Sequence, residues 1–258
     1  MITFSSAELY ALITSFIWPL TRILGLITTA PLYGNASVPV TVKIGIGVML
    51  SLVIAPIIPP IPAMDPMSLP GLLILAQQLI IGLAMGFSMR IVFSTVELGG
   101  EVAGLTMGFG FATFFDPQTR GRSSAISQFL ALLMLMLFLA TNTHLLLLST
   151  LAESFTTLPI SATPLGGKSL KQVVDWGSLI FSAGLQLSLP IIAALLITNI
   201  ALGILTRAAP QLNLFGIGFP ITLGVGFIII GLVLPYLATP IDRLFNESVE
   251  FIRQIARP

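Results

Sequence analysis

Between Trp176 and Ile241 the chain carries one charge, Arg207. The flanking stretches, Trp176–Thr206 and Ala208–Ile241, have none. An α-helix rises about 1.5 Å per residue, so roughly 20 apolar residues cross a ~30 Å hydrocarbon layer. Each stretch is long enough, and two in succession do not fit an ordinary soluble core. The chain is built to face lipid or the inside of a largely apolar assembly. Its composition agrees: 55% of its 258 residues are hydrophobic and 8% are charged, against about 25% charged in soluble domains.

The remaining composition excludes several chemistries. Net charge is +1, so no bulk field steers nucleic acid or an acidic partner. Cysteine is absent, which removes disulfides, thiolate metal sites and thiol nucleophiles. His144 is the only histidine, which removes multi-histidine metal sites. No cofactor and no enzymatic activity are expected. Met1–Leu9 lacks the positive segment of a secretory signal and carries Glu8 instead, so the first apolar segment reads as retained.

Windows without charge mark about six hydrophobic segments in a single all-α domain covering 1–258. They fall near 6–30, 38–62, 70–97, 123–152, 176–207 and 211–241. The second ends in Pro56, Pro59, Pro60 and Pro62, through which no helix continues. Pro210, Pro220 and Pro235, with Gly216, Gly218, Gly224, Gly226 and Gly231, predict a broken, curved or re-entrant sixth segment supported by neighbours. Six spans place both termini on one side, with Lys168, Lys171, Arg243, Arg253 and Arg257. Lys43, Arg120, Arg122 and Arg207 lie on the other. This near-tie gives no orientation under the positive-inside rule and hints that not every segment is a simple span.

The stretch Glu97–Ser124 is neither a clean span nor a polar loop. It holds six glycines, four phenylalanines and five charges. Gly100, Gly104 and Gly108 recur every fourth residue, and Gly82 and Gly86 make a shorter stripe. Such stripes let another backbone approach, from this chain or another subunit. Glu97 and Glu101 lie one turn apart and read as a charged helix end in water rather than an acid–base pair. In Met107-Gly108-Phe109-Gly110-Phe111-Ala112-Thr113-Phe114-Phe115, glycines alternate with aromatics. That pattern disfavours a helix and presents bulky apolar side chains from a flexible loop. Irregular backbone is costly in hydrocarbon. The loop therefore either dips into headgroups or lines and blocks a passage. Arg22, Arg90 and Arg207 lie in or beside apolar runs, where an arginine either faces a partner or cavity or snorkels to an interface. Asn142, Thr143 and His144 read as a polar contact between helices.

Thr206-Arg207-Ala208-Ala209-Pro210-Gln211-Leu212-Asn213, followed by Gly218-Phe219-Pro220, resembles the signature of the FliR family of bacterial flagellar export-gate proteins. Trp18-Pro19-Leu20-Thr21-Arg22 with Ala30-Pro31 agrees, as do Lys43 with Gly45 and Gln77-Gln78 with Gly82 and Gly86. Glu101 through Gly104 and Phe111-Ala112-Thr113-Phe114 to Asp116-Pro117 also match. The resemblance runs in order over nearly the whole chain. Injectisome secretion systems carry a related subunit, but the fit around Phe111–Pro117 favours the flagellar branch.

The resemblance implies a single-copy subunit in a core complex with several FliP-like and FliQ-like subunits. FlhB-like and FlhA-like components would lie alongside and below it. Its hairpins would wind into a cone lifted above the inner membrane, around a channel for unfolded flagellar proteins. The resemblance places the Thr106–Arg122 loop in that channel. Met107, Phe109, Phe111, Phe114 and Phe115 are then the candidate closure, with Gly108 and Gly110 supplying freedom to move. Gly82, Gly86, Gly100 and Gly104 are candidates for helix or subunit packing, as are Arg207, Gln211 and Asn213 beside Pro210. The rival reading is a small stand-alone transporter or channel. Such a protein usually carries a mid-span ionisable residue or inverted repeats.

Overall fold

The computed structural model describes residues 6–61, 65–111, 124–161, 167–209 and 214–256. Among these the chain is helical, with no strand. The helices are α1 (Ser6–Thr29), α2 (Val40–Ile54), α3 (Leu69–Met107), α4 (Ala125–Ala140), α5 (Thr143–Thr157), α6 (Gly167–Trp176), α7 (Leu179–Ala208) and α8 (Phe219–Ile255). Four of the helical stretches are long and apolar enough to cross a membrane, or five if the broken α4–α5 pair counts as one. The apolar part of α1, Ile13–Thr29, is shorter.

The chain forms two compact units, each discontinuous in sequence. One comprises Met1–Ile91, Asn142–Gly177 and Phe245–Pro258, and the other Val92–Thr141 and Ser178–Leu244. In the first unit the buried positions follow a helical period. They are Thr14, Trp18, Arg22 and Leu26 on α1, with Ala30 just past its end, and Ile74, Gln78, Ile81, Met85 and Ser88 on α3. Thr143, Leu147, Thr150, Leu151 and Ser154 make the equivalent stripe on α5, and Phe245, Ser248, Val249 and Ile252 on the end of α8. Each stripe recurs at three or four residues, as a one-sided helix requires.

Where α1 crosses α3 the backbones nearly touch. A Cβ at Gly82 would overlap the carbonyl of Arg22, and one at Gly86 the Thr29 hydroxyl. A Cβ at Gly25 would lie 2.8 Å from the Leu79 carbonyl oxygen. On α2, Gly47 receives the Leu24 side chain. The Trp176 ring at the end of α6 stacks on Phe251, with centroids 4.5 Å apart, and its Nε1 donates to the Ser88 carbonyl at 3.3 Å.

In the second unit the same device recurs. Gly99 and Gly184 admit the crossing of α3 and α7, where a Cβ at Gly184 would stand 2.8 Å from the Thr95 carbonyl oxygen. Phe93 meets Phe138 of α4 edge-on at 5.5 Å. The packed side of α4 carries Ile126, Leu130, Met134 and Phe138.

Four features differ from the sequence reading. Helix α3 does not stop near residue 97 but runs to Met107; the Glu101 carboxylate accepts from the Ser124 N–H at the N-cap of α4, and the Glu97 backbone carbonyl from Ser127 Oγ. The fourth segment stops at Ala140 and restarts at Thr143, with Asn142 left-handed at φ 57°, a conformation asparagine tolerates better than most residues. The polar connection after α5 contains α6, a short helix with Val173 buried and Lys171, Gln172 and Asp175 exposed. Finally, α8 stays continuous through Pro235 and Pro240. Pro220 sits in its first turn, where no intrahelical donor is lost, and the two later prolines remove single bonds without ending the helix. The break falls before it, followed by a π-helical turn at Leu214–Gly218.

The glycine crossings give a paired test. Gly82→Ala should cost about 1–3 kcal/mol through overpacking. Gly203→Ala, where nothing lies within 4 Å of the new Cβ, should leave stability unchanged or raise it by about 0.5–1 kcal/mol through helix propensity. Thermal unfolding of the purified protein in detergent reads both, and equal losses would contradict this packing.

Candidate functional site

Three places in the two units bear on function. The first is the Arg22 side chain, which is fully buried. Its Nε donates to Gln78 Oε1 at 2.8 Å. One terminal nitrogen donates to the carbonyl and hydroxyl oxygens of Ser154, at 2.8 and 3.1 Å. The other donates to the Leu158 carbonyl at 2.9 Å. The guanidinium also lies 4.4 Å from the centroid of the Phe155 ring.

Ser154 and Leu158 stand in the last turn and at the C-cap of α5. The final carbonyls of a helix have no intrahelical partner, and the helix dipole leaves that end negative. Arg22 therefore supplies both donors and positive charge to the end of α5, while the ring face of Phe155 adds a cation–π contact. The planar fork reaches two other helices at once, α3 and α5, which a lysine ammonium does not match. The sequence reading left Arg22 open between a partner and an interface. The available signal was its place midway along the buried α1 stripe.

The second place is the pair of stems flanking residues 112–123. Helix α3 ends at Met107, and Gly108 follows at φ 98°, a conformation that suits glycine. The Gly108 N–H closes the end onto the Leu105 carbonyl at 3.1 Å. Met107 is fully buried. A Cβ at Gly226 of α8 would lie 2.6 Å from its Cγ and Cε, and Thr222 Oγ1 donates to its carbonyl at 3.4 Å. A 3-10 turn at Phe109–Phe111 follows. Phe109 meets Phe227 edge-on, with centroids 6.2 Å apart. Both line an apolar groove of about 400 Å³ with Ala125, Ile126, Phe129 and Ile230.

The returning stem is capped. Ser127 N–H donates to Ser124 Oγ at 3.2 Å, and Ser124 N–H donates to Glu101 Oε2 at 2.7 Å. Ser127 Oγ donates back to the Glu97 carbonyl at 2.8 Å. The half-buried Glu101 carboxylate thus sits at the positive N-terminus of α4. Gly100 and Gly104 make this approach possible. A Cβ at either would lie 2.6 Å from α4 atoms, Ser127 Cα and Ser124 Oγ respectively.

The third place is the end of α7. Arg207 is exposed in its last turn. Gln211 and Asn213 lie outside the described residues, as do Phe114, Phe115 and the side chain of Phe111. Gly110 is half-buried beside Leu105. Gly82 and Gly86 pack α3 on α1, and Gly100 and Gly104 pack α3 on α4. Arg90 is exposed on α3. Among the described residues no three His, Asp or Glu side chains gather as a metal site.

Long apolar helices and close glycine crossings define an all-α integral membrane protein with no described catalytic or metal cluster. Residues 13–248 match the family described as bacterial export proteins, family 1. The flagellar biosynthetic protein FliR of Pectobacterium carotovorum subsp. carotovorum is 43% identical over 255 residues, covering 99% of this chain and 97% of that one. FliR of Escherichia coli K12 is 40% identical over 257 residues, covering 99% and 97%. FliR of Bacillus subtilis 168 is 28% identical over 247 residues, covering 95% of each chain. The chain belongs to the FliR family of flagellar export proteins. It is a membrane component of the bacterial flagellar export apparatus.

Arg22→Met should strip four hydrogen bonds and leave Gln78 Oε1 and the Leu158 carbonyl without this donor, while the Ser154 carbonyl keeps the Leu158 N–H. Each buried orphan costs about 1–3 kcal/mol, so the thermal midpoint should drop sharply. Hydrogen exchange should rise in the last turn of α5. Arg22→Lys should recover little of either.

Proposed function

We propose that this chain is a structural and gating subunit of the flagellar type III export gate, where it helps form and close the channel for unfolded flagellar proteins. The observation that supports this most directly is the pair of pinned stems. Met107, Gly226, Glu101 and Ser124 hold both ends of the 112–123 segment on packed helices. In this reading the glycine–phenylalanine run is the channel loop that these stems hold. Phe109, Phe111, Phe114 and Phe115 form the apolar closure in this reading. Gly108 and Gly110 supply the freedom to swing aside; Met107, which the sequence reading counted with the closure, is buried against Gly226 and serves instead as the anchor.

An apolar constriction holds ions back because water leaves it readily. An unfolded polypeptide displaces such side chains without breaking strong polar bonds. FliP-like and FliQ-like subunits cover the exposed helix faces in this reading. FlhB-like and FlhA-like components engage the same core, which stands toward the periplasm.

Changing Phe111 and Phe114 together to Ala, or trimming the loop, should leave a complex that assembles yet passes small ions. Conductance or solute sensitivity of cells expressing the complex measures this. An assembled mutant as tight as wild type would move the seal to the partner subunits. Arg207→Ala, at an exposed helix end, should instead lower the yield of assembled complex without making it leak. A leaky, fully assembled complex would contradict that assignment.

A further inference from the structure

Within the first unit, a polar cleft of about 430 Å³ opens at the end of α1. Its walls include Thr28, Thr29, Asn35, Ala36, Phe87 and Arg90. Among the described residues Arg90 is the one ionisable wall residue, and no carboxylate lines the cleft. A second cation reaches the rim, because Lys43 Nζ donates to the carbonyl of the wall residue Gly34 at 3.0 Å. Asn35 Oδ1 accepts the Ser37 N–H at 2.9 Å, which leaves its NH₂ as a donor.

The carbonyl end of α1 opposes an anion, and the turn that follows it engages two further carbonyls. The Gly34 N–H takes the Ala30 carbonyl at 2.7 Å, and Lys43 takes that of Gly34. Beside the cleft the surface turns apolar: Phe87 on α3 and Val40, Val42 and Ile44 on α2 are all exposed. A concave, carboxylate-free polar site with two cations, bordered by lipid-compatible side chains, matches an amphiphile with a charged head.

We propose that this cleft binds a phosphate group, carried by an anionic phospholipid or free in solution. A guanidinium and an ammonium recognise phosphate in complementary ways, one as a planar fork and the other as a point charge. Basic pockets between membrane helices hold phospholipid headgroups. The exposed faces of α2 and Phe87 lie where the acyl chains of such a lipid would run.

The test uses the purified full chain in neutral detergent, titrated with short-chain phosphatidylglycerol, phosphatidylcholine and inorganic phosphate. Bound lipid is read by native mass spectrometry, and protection by the thermal midpoint. Phosphatidylglycerol should bind at least about tenfold more tightly than phosphatidylcholine. Arg90→Gln should weaken it by about tenfold, the size of one lost charge-assisted hydrogen-bonding group. Ala36→Glu, an exposed loop change that places a carboxylate at the cleft, should do the same and keeps the test valid if Arg90→Gln misfolds. Protection by inorganic phosphate alone, lost in the same variants, assigns the site to free phosphate. Absence of binding, or binding that both variants leave unchanged, overturns the proposal.

Discussion

A chain with so few polar groups has few ways to satisfy what it buries, and the Arg22 guanidinium carries the largest such burden in the first unit. It joins α1 to Gln78 of α3 and to the end of α5 through four hydrogen bonds. A lone buried cation is costly in apolar surroundings. Here the negative end of α5 and the Phe155 face compensate it, so the same contacts that stabilise the charge fix where three helices meet. The glycines at 25, 82 and 86 depend on that register. Sliding α1 along α3 would bring side chains against backbone and pull the guanidinium from its acceptors at once.

The remaining surface has the opposite character. From Leu196 to Ala208 no residue of α7 is buried, and from Gly231 to Pro240 none of α8 is. These stretches are apolar, with Ile197, Ile200, Ile204, Leu232 and Tyr236 all exposed. Only 11% of the most apolar window of Lys171–Ala208 is buried within the chain, so lipid or other subunits must cover the rest. Polar bonds and glycine contacts thus specify the interior of each unit, while the long helices present broad apolar faces outward. That division suits a subunit that folds locally and completes its burial by assembly.

Much of this was legible in the sequence. Charge-free windows located the hydrophobic segments because a helix in lipid tolerates few charges over some 20 residues. The glycine spacings announced close backbone approach, although spacing alone did not say whether the neighbour belonged to this chain. The course of α3 past Glu97 was hidden, since the partner of Glu101 is the Ser124 amide, 23 residues away. The role of Arg22 was hidden for the same reason: its acceptors lie 56, 132 and 136 residues on. Proline counts misled at α8, where Pro235 and Pro240 weaken the helix without ending it. Local chemistry singled these residues out, and long-range packing decided what they contact.

The central claim is that the uncovered faces of α7 and α8 are completed by other subunits of an export gate. Native mass spectrometry of the tagged chain, drawn from its own membranes in mild detergent, tests it most directly. The account predicts a hetero-complex holding one copy of this chain with several copies of two different small membrane proteins. Recovery of the chain as a stable monomer or homodimer, with those faces accessible to lipid alone, would contradict it.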